Sequence, residues 1–343
     1  LLKVGPQSAG ADPGPALYGR GGNDTTVTDA NVVLGRLSGG ALVGGAMTVF
    51  PEQSLAALTR LGERIGLDAQ ATAAGIVEIV NVNMMGAIRT VSVERGEDPR
   101  TCALIAFGGA GPLHAAEIAR ELAIARVIVP LRPGLLSASG LLDAERRGDF
   151  SVTRLVVAAP GSLVGLREGF EILDASGRAW MRAEGLRGDA TRSEWALDLR
   201  YLGQAFELTL PLDAVRLNAA VLEERVAQFH QRHENLNGYA MRDHPVEIVT
   251  LRLAVVAKSH DSVPETAPLV EAPMADAIAS RRAVWFRDPG FVETPIYNRD
   301  RLGPGHRFTG PAVVEQLDAT TVVPPGAPVQ VDAAGCLHIV VAP

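Results

Sequence analysis

The fold is decided by residues 103–115, which read ALIAFGGAGPLHA. The apolar run Ala103–Phe107 predicts a buried strand, and the glycines that follow it predict a loop. Pro112 suits the first turn of a helix, so a helix is predicted over Pro112–Leu122. A second strand is predicted over Arg126–Pro130. Strands that alternate with helices in this way indicate a mostly parallel, layered α/β sheet.

The residues before this stretch predict loops and helices. Residues 5–24 are dense in glycine and proline and cannot form a regular element. We expect Asp29 to cap a helix over Ala30–Leu37, and Ser54 to cap a helix that ends near Gly66. Asp68 is expected to cap a long helix that runs to about residue 94. After the second strand, a further helix is predicted from about residue 134 to 145.

The pattern changes after Gly148 and becomes a mixture of strands and helices that do not alternate. The sequence predicts a strand at 151–158, a helix at 166–185, a hairpin within 194–210, a helix at 219–236 and a strand at 246–257. Residues 264–273 are rich in proline and alanine and predict a connector, and short strands follow it. We therefore predict an α/β domain over residues 1–148 and an α+β domain over residues 149–343.

Composition excludes several classes of protein. The 343 residues carry 32 Lys plus Arg against 39 Asp plus Glu, a net charge of -7 without a basic patch, which argues against nucleic acid as the main partner. The apolar runs are far shorter than the roughly 20 residues of a membrane span, so no membrane association is expected. Two cysteines are too few for a disulfide scaffold, and a cytoplasmic location is predicted. Position 1 is not methionine, and we expect the chain to be a piece of a longer protein.

The glycine loop, Gly108, Gly109, Ala110 and Gly111, lies between a predicted strand and a predicted helix. Backbone N–H groups and a helix N-terminus at such a loop suit a phosphate or a nucleotide. A loop whose glycines serve packing alone is the alternative. The loop is not a Walker A motif, because the string GxxxxGK[ST] is absent from the sequence. A dinucleotide site is disfavoured, because His114 stands where the third glycine would be.

Three polar residues are candidates for chemistry. Asp29 follows a β-rich run, and from there its carboxylate could hold Mg²⁺ or orient a water molecule. A role as helix cap is the alternative, and the two roles are compatible. Asn31 is considered as a further ligand contact. His114 lies in the first turn after the glycine loop and faces either a ligand or the neighbouring strand. A neutral, structural histidine is the favoured interpretation, because the positive end of a helix disfavours the charged ring.

Other reactive residue types do not form a recognisable site. His230, His233 and Glu234 have a spacing that can bind metal, but the HExxH motif is absent and the polar neighbours indicate a solvated helix face. Cys102 has only Arg100 nearby to lower its thiol pKa, so a nucleophilic role is not expected. No metal ligands are identified.

Several motifs resemble those of the hydantoinase A/5-oxoprolinase family. They span almost the whole chain in order: GPQSAGA at 5–11, PGPA at 13–16, YGRGG at 18–22, TVTDAN at 26–31, LGRL at 34–37, VSVERG at 91–96, FGGAGPLHA at 107–115, PGLLSA at 133–138, GPAVVEQ at 310–316 and TTVVPPG at 320–326. The resemblance implies an actin-like ATPase fold, in which two ribonuclease-H-like lobes hold ATP between them. Residues 1–148 would form most of the second lobe.

The resemblance also implies a ligand and a set of missing parts. Gly108, Gly109, Ala110 and Gly111 would pack against the adenosine of ATP, as nucleotide-binding residues. The phosphate motifs that the family carries, a string of the Asp-Gly-Gly-Thr type and a further glycine-rich segment, are absent from this sequence. The expected cofactors are ATP and Mg²⁺, and this chain alone is expected to lack activity.

The resemblance leaves three functions open. In the first, the chain is part of an ATP-dependent cyclic-amide hydrolase that opens a lactam or hydantoin ring through a phosphorylated intermediate. In the second, it belongs to the nucleotide-binding subunit of an ATP-dependent ketone carboxylase. In the third, it is a non-catalytic lobe that binds a partner. The expected partners are a small cyclic amide, a hydantoinase B-type subunit and further copies in an oligomer.

Overall fold

The computed structural model of the chain describes residues 2–42, 45–142, 144–213, 217–257 and 273–341. Two compact units divide the chain, the first made of residues 1–139 and 264–343 and the second of residues 140–263. The elements up to the division are α1 (Val27–Val33), β1 (Ala41–Leu42), β2 (Met47–Thr48), α2 (Pro51–Ile65), α3 (Ala69–Val91), β3 (Leu104–Ile105), α4 (Gly111–Glu121), β4 (Arg126–Val129) and α5 (Leu136–Leu142), which crosses it.

The second unit and the C-terminal segment contain the remaining elements. The second unit holds β5 (Arg147–Val157), α6 (Leu163–Ala183), β6 (Thr191–Tyr201), β7 (Leu208–Leu212), α7 (Ala219–Asn237) and β8 (Val246–Ala257). The C-terminal segment returns to the first unit with α8 (Met274–Ala277), β9 (Ile278–Phe286), β10 (Gly290–Asn298), β11 (Arg307–Thr309), β12 (Ala312–Glu315), β13 (Thr320–Val323), β14 (Pro328–Val331) and β15 (Leu337–Val340). Of the predicted connector at 264–273, only Pro273 lies within the described residues.

The C-terminal segment folds with the N-terminal residues because its last strand joins their sheet. Strand β15 pairs antiparallel with β4, with Leu337 opposite Val129 and Val340 opposite Arg126. The sheet order is β11-β14-β15-β4-β3. The compact units therefore divide the chain differently from the predicted boundary at residue 148. Pairing between residues some 200 positions apart leaves no local signal in a sequence, which explains the difference.

The prediction of a mostly parallel sheet is wrong. Strands β3 and β4 are parallel, as the strand–helix–strand pattern predicts, but β11, β14, β15 and β4 are joined by antiparallel pairs. The other sheet of this unit, in the order β13-β12-β10-β9, has one parallel pair, β10 with β12. C-terminal strands complete the first sheet and form the whole of the second, and these strands make the architecture mixed.

Strand β3 is shorter and more exposed than the apolar run Ala103–Phe107 predicts. It contains only Leu104 and Ile105, and it lies at the edge of its sheet. The side chains of Ile105 and Phe107 are about half exposed. The prediction of a buried strand is therefore corrected: Ala106 alone in this run is buried.

Helices α1 and α2 begin earlier than predicted, and α3 begins where the sequence predicts. Helix α1 starts at Val27 with Thr26 as its N-cap, and Asp29 is the third residue of the helix rather than its cap. Helix α2 starts at Pro51 because proline fits the first helical position, and Ser54 lies inside the helix. The prediction for Asp68 is confirmed, since its side chain accepts a hydrogen bond from the N–H of Ala71 at 2.7 Å.

Helix α3 has the length and composition of a membrane-crossing helix, in the segment 69–95. A third of its apolar window is buried, and on that side Ala73, Ile76 and Val77 pack against α1 and α2. Its buried polar residue Asn81 donates a hydrogen bond to Glu117 of α4. We interpret α3 as the core helix of this unit, because the same length and composition are found in such helices.

The second unit is an antiparallel sheet in the order β5-β8-β6-β7 with two long helices, an α+β arrangement. Strand β8 spans Val246–Ala257, as the alternating pattern predicts, and pairs with both β5 and β6. Leu166 and Phe170 of α6 and Phe229 of α7 are buried with the leucines of β6 and β8. The periodic apolar residues of each element therefore form this core.

Candidate functional site

The glycine loop connects β3 to α4, as the sequence predicts. Ala106 still donates its backbone N–H to the carbonyl of Ile128 at 2.9 Å, so the loop starts at the end of the sheet. Gly108 has a φ of 79°, a left-handed conformation that favours glycine, and its N–H donates to the carbonyl of Pro133 at 2.8 Å. Gly109 and Ala110 are exposed. The loop is thus anchored at Gly108 and open beyond it.

The N-terminus of α4 faces outwards without a cap. Its N-cap residue is Ala110, which has no side-chain oxygen to accept a hydrogen bond, and Pro112 has no N–H to satisfy. Within the described ranges, no acceptor takes a hydrogen bond from the N–H groups of Gly109 or Ala110. Free donors at the positive end of a helix are suited to the acceptor oxygens of an anionic or polyhydroxylated ligand.

Apolar side chains flank the same loop. Phe107, directly before Gly108, is 53% exposed, and Leu135, in the loop that binds Gly108, is 50% exposed. An exposed aromatic ring beside free backbone donors is an arrangement that can hold a planar base together with its sugar. The loop therefore exposes backbone donors together with two apolar side chains.

Asp29 is a structural anchor rather than an available catalytic group. Its Oδ1 accepts hydrogen bonds from the N–H of Leu17 at 2.8 Å and from the hydroxyl of Ser54 at 2.6 Å. Its Oδ2 accepts from the N–H of Thr26 at 2.9 Å and from the hydroxyl of Thr26 at 2.7 Å. A carboxylate has about four acceptor positions, and these four donors use them. The side chain is fully buried, so the geometry favours the structural over the predicted catalytic role.

Asn31 is also buried, with 1% of its surface exposed. Its side-chain Nδ2 donates to the backbone carbonyl of Val27 at 2.9 Å. Its backbone carbonyl accepts from the backbone N–H groups of Arg36 and Leu37. Among the residues that the structure describes, no partner binds its Oδ1. No hydrogen bond joins Asn31 or Asp29 to the glycine loop in the described part of the chain. The predicted ligand contact of Asn31 is therefore not supported by this arrangement.

His114 is buried one turn after the glycine loop and pairs with another helix. Its Nδ1 lies 2.8 Å from Oδ1 of Asn81, and because an amide oxygen only accepts, Nδ1 carries the proton. Burial, reinforced by the nearby Arg36 cation and opposed by Glu117, lowers the pKa of His114 to about 4. The ring is neutral at pH 7, in agreement with the structural interpretation, and it holds α4 against α3.

An ion pair that the sequence analysis missed lies beside His114. Arg36 is fully buried, and its Nη2 is 2.5 Å from Oε1 of Glu117. It also donates from Nε to the carbonyl of Trp285 at 3.2 Å and lies over that residue's ring. Burial would raise the pKa of Glu117, but Arg36 and the amide of Asn81 outweigh it and hold the pKa below its usual value. The residues are far apart in sequence, and the one local signal is the spacing of His114 and Glu117 on a single helix face.

The histidines of α7 have protein partners. Nδ1 of His230 is 2.7 Å from the Tyr201 hydroxyl, and Nδ1 of His233 is 2.9 Å from the carbonyl of Tyr239. Over the described ranges, no group of three or more His, Cys, Asp or Glu side chains is placed to hold a metal ion. The expectation that these histidines do not form a metal site stays a prediction, and the structure gives both rings a role in packing.

Two family models match this chain. The model described as hydantoinase/oxoprolinase matches residues 1–149, and the model described as hydantoinase/oxoprolinase C-terminal domain matches residues 162–341. The chain belongs to the hydantoinase/oxoprolinase family. The motifs around the glycine loop and those at 310–316 and 320–326 thus identify the family correctly.

Relatives of the chain include subunits of a caprolactamase and of an acetophenone carboxylase. The chain is 36% identical over 338 residues to the caprolactamase subunit alpha of Pseudomonas jessenii, covering 97% of this chain and 48% of the relative. It is 32% identical over 351 residues to the acetophenone carboxylase gamma subunit of Aromatoleum aromaticum, covering 97% of this chain and 47% of the relative. The crystal structure of the ATP-dependent caprolactamase from Pseudomonas jessenii matches with a TM-score of 0.90 at 36% identity, over 99% of this chain and 50% of that chain. The chain therefore spans about half the length of these relatives.

Proposed function

We propose that this chain is part of an ATP-dependent hydrolase of cyclic amides. The observation that carries the proposal is the open glycine loop at the uncapped N-terminus of α4, in a chain that matches an ATP-dependent caprolactamase over nearly its full length. The loop supplies free backbone donors and the exposed Phe107 ring. We assign Gly108, Gly109, Ala110 and Gly111 to the adenosine of ATP.

The chemistry follows from the stability of an amide. Resonance makes the carbonyl carbon of a lactam a poor electrophile, so water alone attacks it slowly. Transfer of the γ-phosphoryl group from ATP to the amide oxygen releases ADP and turns that oxygen into part of a leaving group. Water then adds to the carbonyl carbon, and the ring C–N bond breaks as the nitrogen takes a proton and leaves as the amine. A second water hydrolyses the acyl phosphate that remains, which gives the carboxylate and inorganic phosphate. Preorganised donors along the phosphates stabilise the charge that develops in the transfer step.

This chain supplies the nucleotide-holding part of that scheme. We propose that it forms most of the second lobe of an actin-like ATPase fold, with the phosphate-binding segments provided elsewhere in the complete protein. Mg²⁺ bound with the phosphates would need one or two free carboxylates from the protein. Asp29 does not fit that role, because its carboxylate already takes four hydrogen bonds. We also propose a cytoplasmic location and a hydantoinase B-type partner subunit.

A ketone carboxylase is the second candidate function. It is favoured by the 32% identity to a carboxylase subunit across 97% of this chain. In that case ATP would activate a ketone or bicarbonate, and a second protein would complete the reaction. The nucleotide site would be the same, so the substrate separates the two functions.

Phosphate release from ATP tests the proposal. The complete protein, with any copurifying subunit, is assayed with caprolactam, 5-oxoproline and hydantoins, and separately with ketones plus bicarbonate. We expect ring-opened product and phosphate in equal amounts with one of the cyclic amides. Carboxylated product with a ketone would favour the second candidate. If neither substrate class stimulates ATP hydrolysis, both candidates are contradicted.

A further inference from the structure

The turn between β12 and β13 contacts the loop that anchors the glycine loop. This turn comprises residues 316–319 and belongs to the C-terminal segment, while the anchoring loop follows β4 at residues 130–135. The turn closes on itself through the N–H of Gln316, which donates to the carbonyl of Ala319 at 3.1 Å. Residues about 185 positions apart therefore meet at the candidate nucleotide site.

Two side chains of the turn hold the anchoring loop. Nε2 of Gln316 donates to the carbonyl of Leu131 at 3.1 Å and to Oδ1 of Asp318 at 2.6 Å. Oδ2 of Asp318 accepts the N–H of Gly134 at 2.8 Å. A carboxylate shared by two donors makes stronger hydrogen bonds than a neutral acceptor, so these contacts fix the path of residues 131–134.

The contact continues from the anchoring loop to the nucleotide site. The carbonyl of Pro133, adjacent to Gly134, accepts the N–H of Gly108. A Cβ added at Gly134 would lie 2.7 Å from the backbone oxygen of Asp318, so the two segments touch without spare room. A Cβ added at Gly109 would lie 3.5 Å from that same oxygen. Asp318 thus lies against both loops.

We propose that Gln316 and Asp318 are positioning residues of the nucleotide site, which set the conformation of the glycine loop through Pro133 and Gly134. The inference rests on the proposed binding of ATP at that loop. It assigns a role to the motif GPAVVEQ at 310–316, whose last residue makes the contact. A loop already held in its binding conformation loses less conformational entropy when the ligand binds, and this strengthens binding.

The test is ATP affinity and steady-state kinetics of the complete protein with substitutions at the turn. Asp318→Ala removes the acceptor of Gly134 and should weaken ATP binding about tenfold, the scale of one charged hydrogen bond. Gln316→Met keeps the size of the side chain and should weaken binding in the same direction. Asp318→Asn keeps one oxygen for the N–H of Gly134 and should restore part of the loss. Glu293→Ala is the matched control, because it removes an exposed carboxylate from β10 in the sheet that carries the turn.

The kinetic pattern distinguishes positioning from general damage to the fold. The KM for ATP should rise in the turn variants, while kcat at saturating ATP and the KM for the cyclic amide stay within twofold. ATP affinity within twofold of the wild type in folded Asp318→Ala and Gln316→Met would overturn the inference and leave the proposed function standing. If Asp318→Ala fails to fold, Gln316→Met decides the question by the same criterion. A wild-type complete protein that binds no ATP would overturn the proposed function and the inference together.

Discussion

Asp29 gives the sharpest test of the stability of the N-terminal region. Alanine at position 29 removes an acceptor of four hydrogen bonds and leaves the N–H of Leu17 and the hydroxyl of Ser54 buried without a partner. Each such donor costs about 1–3 kcal/mol, and loss of the capping box with Thr26 adds about 1 kcal/mol. We expect the free energy of unfolding to fall by about 4 kcal/mol, near the upper end for single substitutions.

Urea unfolding combined with amide hydrogen exchange measures this effect. Asp29→Asn should cost about half as much, because its oxygen can still serve Leu17 and Ser54 while its NH₂ group faces the donors of Thr26. The backbone N–H of Leu17 should lose protection from exchange in Asp29→Ala. Asp24→Ala, which removes an exposed carboxylate nearby, is the control and should change stability by less than about 0.5 kcal/mol. A loss below about 1 kcal/mol in Asp29→Ala, with the exchange of Leu17 unchanged, would refute the structural role.

Three further substitutions test the buried polar groups. The pKa of His114 is lowered from 6.5 to about 4, so the stability that its neutral ring contributes is complete above pH 6.5 and is lost as the pH falls towards 4. Between pH 7.5 and 5 the free energy of unfolding should fall by about 2 kcal/mol. His114→Gln should abolish this pH-dependent loss. Glu117 contributes little to this pH dependence, because its pKa is lowered from its usual value and the folded protein titrates it below pH 5. Glu117→Gln should cost about 3 kcal/mol in urea unfolding, because it leaves Arg36 buried without an anion, and a neutral result would show that the pair contributes nothing. Tyr201→Phe removes the partner of His230 and should cost about 1–2 kcal/mol in the second unit; a change confined to the first unit would contradict the packing described.

Local signals in the sequence predict the elements that local chemistry determines. The strand–loop–helix–strand order around Gly108 is confirmed, as are the cap at Asp68 and the bounds of β8. In each case the information lies within a few residues: a periodic apolar pattern, a capping side chain or a glycine that permits a left-handed turn.

Contacts between distant segments explain what the sequence analysis missed. The pairing of β15 with β4 and the ion pair of Arg36 with Glu117 join residues that no periodicity relates. Asp29 was predicted as a cap or a catalyst because its neighbours in sequence allow both. Its burial depends on Leu17 and Ser54, and only the folded chain brings these residues together.

Gly109→Val provides the most direct measurement of the central claim, that the glycine loop binds ATP. The backbone at Gly109 is outside the left-handed region, and an added Cβ meets only the backbone oxygen of Asp318 at an ordinary contact distance of 3.5 Å, so the variant should fold. Gly86→Val is the matched control, since Gly86 is an exposed glycine of α3 with open space around it. Calorimetric titration of the complete protein with ATP should show binding at least tenfold weaker for Gly109→Val and unchanged for Gly86→Val. Equal ATP affinity in the wild type and in folded Gly109→Val would contradict the claim.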